Sequence, residues 1–419
     1  MDTRSSLVLC NVTLPSGRIA DITLADGRVI HVGACPGTAD HIDCRGLLVL
    51  PAAVDMHVHM RGGDQSAKED WKSGSMSALA GGVTVVVDQP NTLPPINTPS
   101  RLGDRVSDAM KHSLCNFAIN SSMTSDTPLP AMWEAGAMAF GETFFTPSYY
   151  REGISDATLS QALRQVRSLE GLVTIHAETV SGVADTDLVL HDHARSPEGE
   201  MQAVKAVQRL NTDKCRIHLC HLSTKMSVDA AKGTIEVTPH HLFLSLEDYE
   251  KNDPLGKVNP PLRTEKERKH LIGCWDRIDV IASDHAPHTL TEKAQDFSHA
   301  PSGFPGVETL LPLLLAWVID GKISLDSVIK KTSHNPAEVL GIPCAGFTIG
   351  NRADFALFPK VPCPVTQEML HSKCGWTPFE GHMAVFPETV IRRGKVVYRD
   401  GDFFRSEPLW LSGKGLRST

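Results

Sequence analysis

The chain predicts an α/β architecture: a (β/α)8 barrel of the TIM type, with a small β-rich domain built from both termini. Three observations predict it. Short apolar, β-branched runs alternate eight times with helical stretches between residues 51 and 341, the composition of a barrel of eight β/α units. Both ends of the chain read instead as strands and turns. Imidazoles and carboxylates recur where the internal runs stop, and that rim is where barrels build active sites.

The N-terminal segments "LVLCNVTLP", "ADITLADGRVIHVG" and "HIDCRGLLVLP" alternate β-formers with Gly, Asp and Pro, as short strands do. Near the C-terminus "ADFALFPK" and "ETVIRRGKVVYRDGDFF" repeat the pattern. Residues 1–50 and 342–419 are therefore expected to form one β-sandwich-like domain around a barrel at 51–341. The expected barrel strands are Val54–His59, Thr84–Asp88, Cys115–Asn120, Ala137–Glu142, Val173–His176, Arg216–His221, Thr234–Val237 and Val280–Ser283. Between them, "AKEDWKSGSMSALAGG" and "EGEMQAVKAVQRLN" read as helices. A doubly wound sheet is the rival, but no G-x-G-x-x-G follows the first strand, which weakens a dinucleotide-binding version.

With 41 basic and 49 acidic side chains, the net charge is −8. That opposes general nucleic-acid binding, and no Lys/Arg run suggests a polyanion patch. The start, "MDTRSSLVLCNVTL", lacks the apolar core and cleavage site of a secretory signal. No apolar stretch is long enough to span a bilayer. Ten scattered Cys form no C-x-x-C pair; reduced thiols in a cytoplasmic protein are the simple expectation.

The 19 His carry the chemistry. In "VDMHVHMR", His57 and His59 lie two apart on a strand and so share a face. Two neutral imidazoles there suit a divalent metal such as zinc, although H-x-H alone is weak. His176 in "VTIHAET", His221 in "IHLCHLSTK" and Asp284 in "VIASDHAPHT" each end an apolar run. Each alone reads as an ordinary satisfied polar residue; five in order at strand ends do not read as coincidence. "MAFGETFF" adds Glu142, a single carboxylate in an apolar run. Burying it requires a partner or a metal, and a strand-end ion pair is the plain alternative.

These motifs resemble the dihydroorotase family of the amidohydrolase superfamily. The likeness runs from about residue 48 to 340 through "VDMHVHMR", "GGVTVVVDQPNTLPPI", "PHHLFLS", "KVNPPLRT", "SDHAPHT", "GFPGVET" and "HNPAEVLG". It resumes in "WTPFEGH" and "VIRRGKVVYRDG". H-x-H would mark only the superfamily; "HVHMR" with "QPNT" and "SDHAPHT" is more specific. The resemblance implies reversible cyclisation of N-carbamoyl-L-aspartate to L-dihydroorotate in pyrimidine biosynthesis. It implies that His57, His59 and Asp284 hold the more buried metal, and His176 and His221 the more exposed one. A bridging hydroxide would be the nucleophile, with Asp284 as proton shuttle. Arg61, Asn91 and His288 would clamp the substrate carboxylate, while Asn259 and the backbone near Pro305 and Gly306 would contact the ring. A salt bridge for Arg61, a loop cap for Asn91 and a turn for Asn259 remain the plain alternatives.

One position departs from the family. Where it generally has a carboxylated Lys bridging two metals, this chain has Glu142, and no Lys lies between Lys111 and Lys205. A Glu offers the same two-oxygen anion with roughly 3–4 Å less reach. Two zinc ions bridged by Glu142 are expected, with a single-metal site as runner-up. The segment "TFFTPSYYREG" matches a substrate-covering loop, in which Thr146, Ser148 or Tyr149 could reach substrate, although a solvent-facing position is the preferred reading for each. Cys220, Glu236 and His241 have ligand chemistry, but hydrogen bonding behind the ligands is preferred to an extra metal. His191 and His193, in "HDHARSPEGE", precede a helix start.

Two other readings compete. Allantoinase or hydantoinase substrates lack the carboxylate that Arg61, Asn91 and His288 would clamp. An inactive homologue supporting aspartate transcarbamoylase would have no physical reason to keep five converging ligands. Association of an active enzyme with that transcarbamoylase, and homo-oligomers, stay open.

Overall fold

The computed structural model describes residues 6–34, 40–146 and 153–417. Five strands lead the chain: β1 (Leu7–Thr13), β2 (Ile19–Ala25), β3 (Arg28–Val32), β4 (Asp40–Asp43) and β5 (Leu48–Pro51). Eight parallel strands follow: β6 (Ala53–Val58), β7 (Val83–Asp88), β8 (Asn116–Ile119), β9 (Phe140–Phe144), β10 (Leu172–His176), β11 (Arg216–Leu219), β12 (Thr234–Val237) and β13 (Val280–Ile281). β6–β8 pair in sequence, as do β9–β13. Parallel bridges Ser121–Phe140 and Val58–His285 join the two sets into a closed ring.

The ring departs from simple alternation where it builds the site. The β6–β7 register shifts between Asp55 and Val58. Met56 therefore packs in the barrel floor with Val54, Val85 and Val87, whereas Val58 packs in the outer layer under the helices. In a regular strand those two would share a face. β11 and β13 end earlier than the expected Arg216–His221 and Val280–Ser283. The backbone N–H of His221 donates to the Glu236 carboxylate at 3.0 Å, and that of Ser283 to Asp55 at 3.1 Å. Buried carboxylates thus draw both strand ends out of the ladder. β9 begins later than expected, at Phe140, because the N–H of Met138 and the C=O of Ala139 bond across to Ile119 and Ser121 through single bridges.

The chain continues through β14 (Phe355–Phe358), a short pair β15 (Cys363–Pro364) and β16 (Met383–Ala384), then β17 (Thr389–Arg392), β18 (Lys395–Arg399) and β19 (Asp402–Phe403). One nine-stranded sheet runs β19-β18-β17-β14-β5-β1-β2-β3, with β4 beside β1; it unites the two ends of the chain. β14 pairs antiparallel with β5, and the two strands face both ways. Val49, Phe355 and Leu357 join the small core; Leu50, Ala356 and Phe358 join the barrel's outer core.

The last described segment returns to the barrel. Leu409 C=O and Leu411 N–H bond the backbone of Phe117 on β8, and Gly413 N–H donates to Gly136. This tail lies beside β8 below the Ser121–Phe140 bridge. Arg392, fully buried, donates to Asn116 Oδ1 at 2.6 Å and to the carbonyls of Ser406 and Glu407. The described cysteines are free thiols, and among the described residues no helix is long and apolar enough to cross a membrane.

Candidate metal and carboxylate site

Glu142 reaches the rim because of the residue before it. Gly141 has φ +125°, and a Cβ there would meet Thr174 O at 2.0 Å. Only glycine allows β9 to lie that close to β10. The Glu142 N–H is then fixed by Gln89 Oε1 at 2.9 Å, and Gln89 is itself held by Met56 O and Asn120.

The two Glu142 oxygens divide between two histidine pairs. Oε1 lies 3.1 Å from His176 Nδ1 and 2.8 Å from His221 Nε2, which are 3.1 Å from each other. Oε2 lies 3.6 Å from His57 Nε2 and 4.0 Å from His59 Nε2. Asp284 completes the second group, its Oδ1 3.4 Å from His57 Nε2 and 3.1 Å from His59 Nε2. The Glu at the end of the shorter stem thus faces both pairs. Arg61, His221 and Asp284 all have positive φ, a conformation that costs energy and is kept where surroundings over-determine it.

The set fits a divalent cation. A tetrahedral centre with bonds of about 2.0–2.1 Å spaces its ligand atoms roughly 3.3 Å apart, within the range of separations seen here. His57 Nε2 is buried with no hydrogen-bond partner. Its other nitrogen is 2.9 Å from Glu236 Oε1, so Nε2 is the nitrogen left for a cation beside Glu142 and Asp284. Burial opposes charge on both carboxylates, yet the surrounding imidazoles hold Glu142 well below and Asp284 below the usual range. Burial likewise opposes charge on His57, but Glu236, Asp284 and Glu142 outweigh it and raise its pKa. The site therefore presents anions that demand positive charge.

Hydrogen bonds behind the ligands orient them. Glu236 binds His57, the His221 backbone and His218 Nε2. Cys220 lies near enough to His57 and Glu236 to form a trio, but burial pushes its thiol up to about 12, and His57 Nδ1 is already committed to Glu236. His241 is turned away, bonded to Thr238 and Pro260 O. His191 donates to Val258 O and, with His193, precedes the Ser196-capped helix Pro197–Leu210.

One cavity adjoins this centre, lined among others by His59, Arg61, Asn91, Glu142, His176, Asn259, Asp284 and His288. Arg61 Nη2 and His288 Nε2 lie 3.4 Å apart. Asn91 accepts from His59 Nδ1 at 2.8 Å and donates to Glu142 at 3.4 Å, which leaves one amide hydrogen for a ligand. Asn259 Oδ1 is buried without a partner. Burial, then Arg61, Lys68 and Lys293, lower the His288 pKa to about 3, so its ring is neutral.

Pro305 and Gly306 line a separate small cavity with His285 and Trp376, and the Gly306 N–H is spent on His285 Nδ1. The backbone on the main cavity is that of Ser302 and Gly303, three residues earlier. The open φ of +143° at Gly303, where a Cβ would meet Ala286 O at 2.5 Å, is what brings the loop in. The loop reading falls partly outside the described residues: Ser148 and Tyr149 are among the residues not described, and Thr146 donates its hydroxyl to Glu178 O at 2.7 Å. Sequence reasoning missed Gln89, Glu178, whose carboxylate meets His176 Nε2 at 3.1 Å, and Lys68, 3.2 Å from His288 Nδ1. The "HAET" motif carried the signal for Glu178, two residues past a ligand; nothing local marked Lys68.

Residues 48–397 match the model of the Amidohydrolase family. A dihydroorotase of Methanosarcina acetivorans is 40% identical over 410 residues, covering 90% of this chain and 88% of its own. A dihydroorotase of Halobacterium salinarum is 39% identical, covering 94% and 97%. Among solved structures, the L-hydantoinase of Arthrobacter aurescens superposes with a TM-score of 0.90 at 24% identity, over 98% of both chains; at that identity the likeness shows the fold.

Proposed function

Because the chain belongs to the amidohydrolase family, we propose that this rim is a dihydroorotase site, interconverting N-carbamoyl-L-aspartate and L-dihydroorotate. The observation that carries the reading is the position of Arg61 and His288 in one cavity with Glu142 and Asp284: donors for a carboxylate stand beside a hydrolytic centre. The planar fork of Arg61 suits a carboxylate, and the remaining Asn91 hydrogen adds a third donor. Rings without a carboxylate, such as allantoin and hydantoin, leave these donors unmatched.

Two zinc ions would be held by His57, His59, Asp284, His176 and His221 together with Glu142, whose two oxygens face the two histidine pairs. Bound there, they would polarise the ring carbonyl and acidify a water. Asp284 takes the proton of the attacking water and passes it to the departing ring nitrogen, a transfer its ionised state permits. Arg61, Asn91 and His288 hold the ring in register while this happens. Asn259 offers its unpartnered Oδ1 to a ring N–H. The barrel that carries these groups is taken as residues 51–341, with 1–50 and 342–419 as the second domain, and the cytoplasm as the compartment.

The test combines turnover and metal counting on one sample. Dihydroorotate should be turned over, and allantoin and hydantoin should not. Metal analysis should give two ions per chain, with activity indifferent to added bicarbonate. Glu142→Ala should lower the metal content and abolish turnover; two full ions in that variant would sink the bridging role.

A further inference from the structure

We propose that Arg105 is a positioning residue: paired with Asp88, it holds the backbone of Arg61 in a left-handed conformation and so aims the Arg61 side chain at a carboxylate-bearing ring. The proposal rests on the reading above that Arg61 receives the substrate carboxylate. Arg105 lies on the helix Pro99–His112 and does not line the main cavity. Its Nε donates to Asp88 Oδ2 at 2.8 Å and its Nη1 to the carbonyl of Arg61 at 2.6 Å. Asp88 ends β7, and its other oxygen accepts from the Met60 N–H at 2.8 Å. Asp88 is fully buried and the Arg105 side chain nine-tenths buried.

A buried ion pair needs further hydrogen bonds for its remaining lone pairs and protons. Here both members find them on one stretch of backbone, the residues around Arg61. The peptide that follows Arg61 is fixed at both ends: its C=O by Arg105 and its N–H, that of Gly62, by Glu69 O at 3.0 Å. The peptide before Met60 is fixed by Asp88. Between these anchors Arg61 has φ +45°, in the region that L side chains rarely adopt. Rotation to a negative φ turns everything beyond the N–Cα bond of Arg61 relative to Met60, so the carbonyl would leave Arg105. The Cβ rides on the same rotation, so the guanidinium would leave its place 3.4 Å from His288 Nε2. Two neighbours fit this arrangement. Gly62 has φ +84°, and a Cβ there would come within 3.1 Å of Arg105 Nη1; the glycine leaves that approach open. Arg105 Cζ also stands over the Trp71 ring, 4.8 Å from its centre, a favourable place for a guanidinium.

The test removes the bond to Arg61 without leaving a buried charge unpaired. The double change Asp88→Asn with Arg105→Met takes away both charges, and the amide oxygen at position 88 can still accept from the Met60 N–H. A crystal structure of this variant should show Arg61 outside the left-handed region; an unchanged φ near +45° overturns the proposal. KM for dihydroorotate should rise about tenfold or more, the loss of a hydrogen bond to a charged group, with kcat less affected and metal content unchanged. Weak turnover of dihydrouracil, the same ring without the carboxylate, should be unaffected; an equal loss on both substrates overturns the proposal. A lower melting temperature with φ and KM unchanged would make the pair a tie between helix and β7 only, and overturns it too. In Arg105→Ala, guanidinium chloride below unfolding concentrations can reach the Arg61 carbonyl through a cavity of about 260 Å³ lined by Arg61, Gly62 and Arg105 among others. It should lower the raised KM where sodium chloride does not, and equal responses to the two salts overturn the proposal. The crystal structure needs no turnover, so it decides the role of Arg105 even if dihydroorotate proves to be the wrong substrate.

Discussion

Histidine does two opposite jobs in this molecule, and burial alone does not decide which. His57 and His176 sit among carboxylates that outweigh burial and raise their pKa. His241 is equally buried, but its partners are a hydroxyl and a carbonyl; burial lowers it to about 3, from the usual 6.5. A base whose folded pKa is depressed stabilises the fold fully above its unfolded pKa. That contribution is lost as pH falls from 6.5 toward 3, because only the unfolded chain takes up the proton. At pH 5 the loss is about 2 kcal/mol for one such group. His241→Gln should therefore gain about that much relative to the parent between pH 7.5 and pH 5, measured by urea unfolding at both values. A constant difference would show that His241 titrates normally. The sequence displayed all of these imidazoles but not their surroundings. Ligands near strand ends were legible because each closes a short apolar run on or just after β6, β10, β11 or β13. Lys68 and Glu178 were not, because their partners lie on other loops or beyond a turn. The shift from Pro305 and Gly306 to Ser302 and Gly303 has the same origin: a motif gives the segment, and only the path of the chain gives the residue.

At the scale of the element, β9 is the strand that sequence periodicity placed least well. Its apolar run was visible, yet Met138 and Ala139 reach Ile119 and Ser121 through single hydrogen bonds only, before the strand begins at Phe140. The seven other barrel strands were legible to within two residues at either end, and the early ends of β11 and β13 follow from Glu236 and Asp55, which no local pattern reveals. The conformation of Gly141 makes a sharp prediction. Gly141→Ala combines a disfavoured φ with a collision against Thr174 O, and should cost at least about 2 kcal/mol in unfolding free energy. It should also lower metal content, because Glu142 moves with its neighbour. Gly103→Ala is the control: it lies in the helix Pro99–His112 with nothing within 4 Å of the added carbon. That change should be neutral or stabilise by about 0.5–1 kcal/mol. Equal losses from both would remove any special role for Gly141.

Over the whole molecule, the two ends of the chain are tied to the barrel by different means. β5 and β14 serve two cores at once, whereas the tail at Leu409–Gly413 adds backbone hydrogen bonds beside β8 and before β9. Truncation after Glu407 should leave the nine-stranded sheet intact and loosen this seam. Hydrogen exchange should speed up at Phe117, which donates to Leu409 O, with little change in β1, β2 and β14. Unchanged protection at Phe117 would mean the tail only covers the surface. The tail has a further consequence in time. A chain leaves the ribosome from its N-terminus, so β8 and β9 are made long before the residues that bond beside them. β5 likewise waits for β14 as its antiparallel neighbour. The barrel's lower seam is thus completed by residues made long after β8 and β9, and it stays open while the chain between them is synthesised.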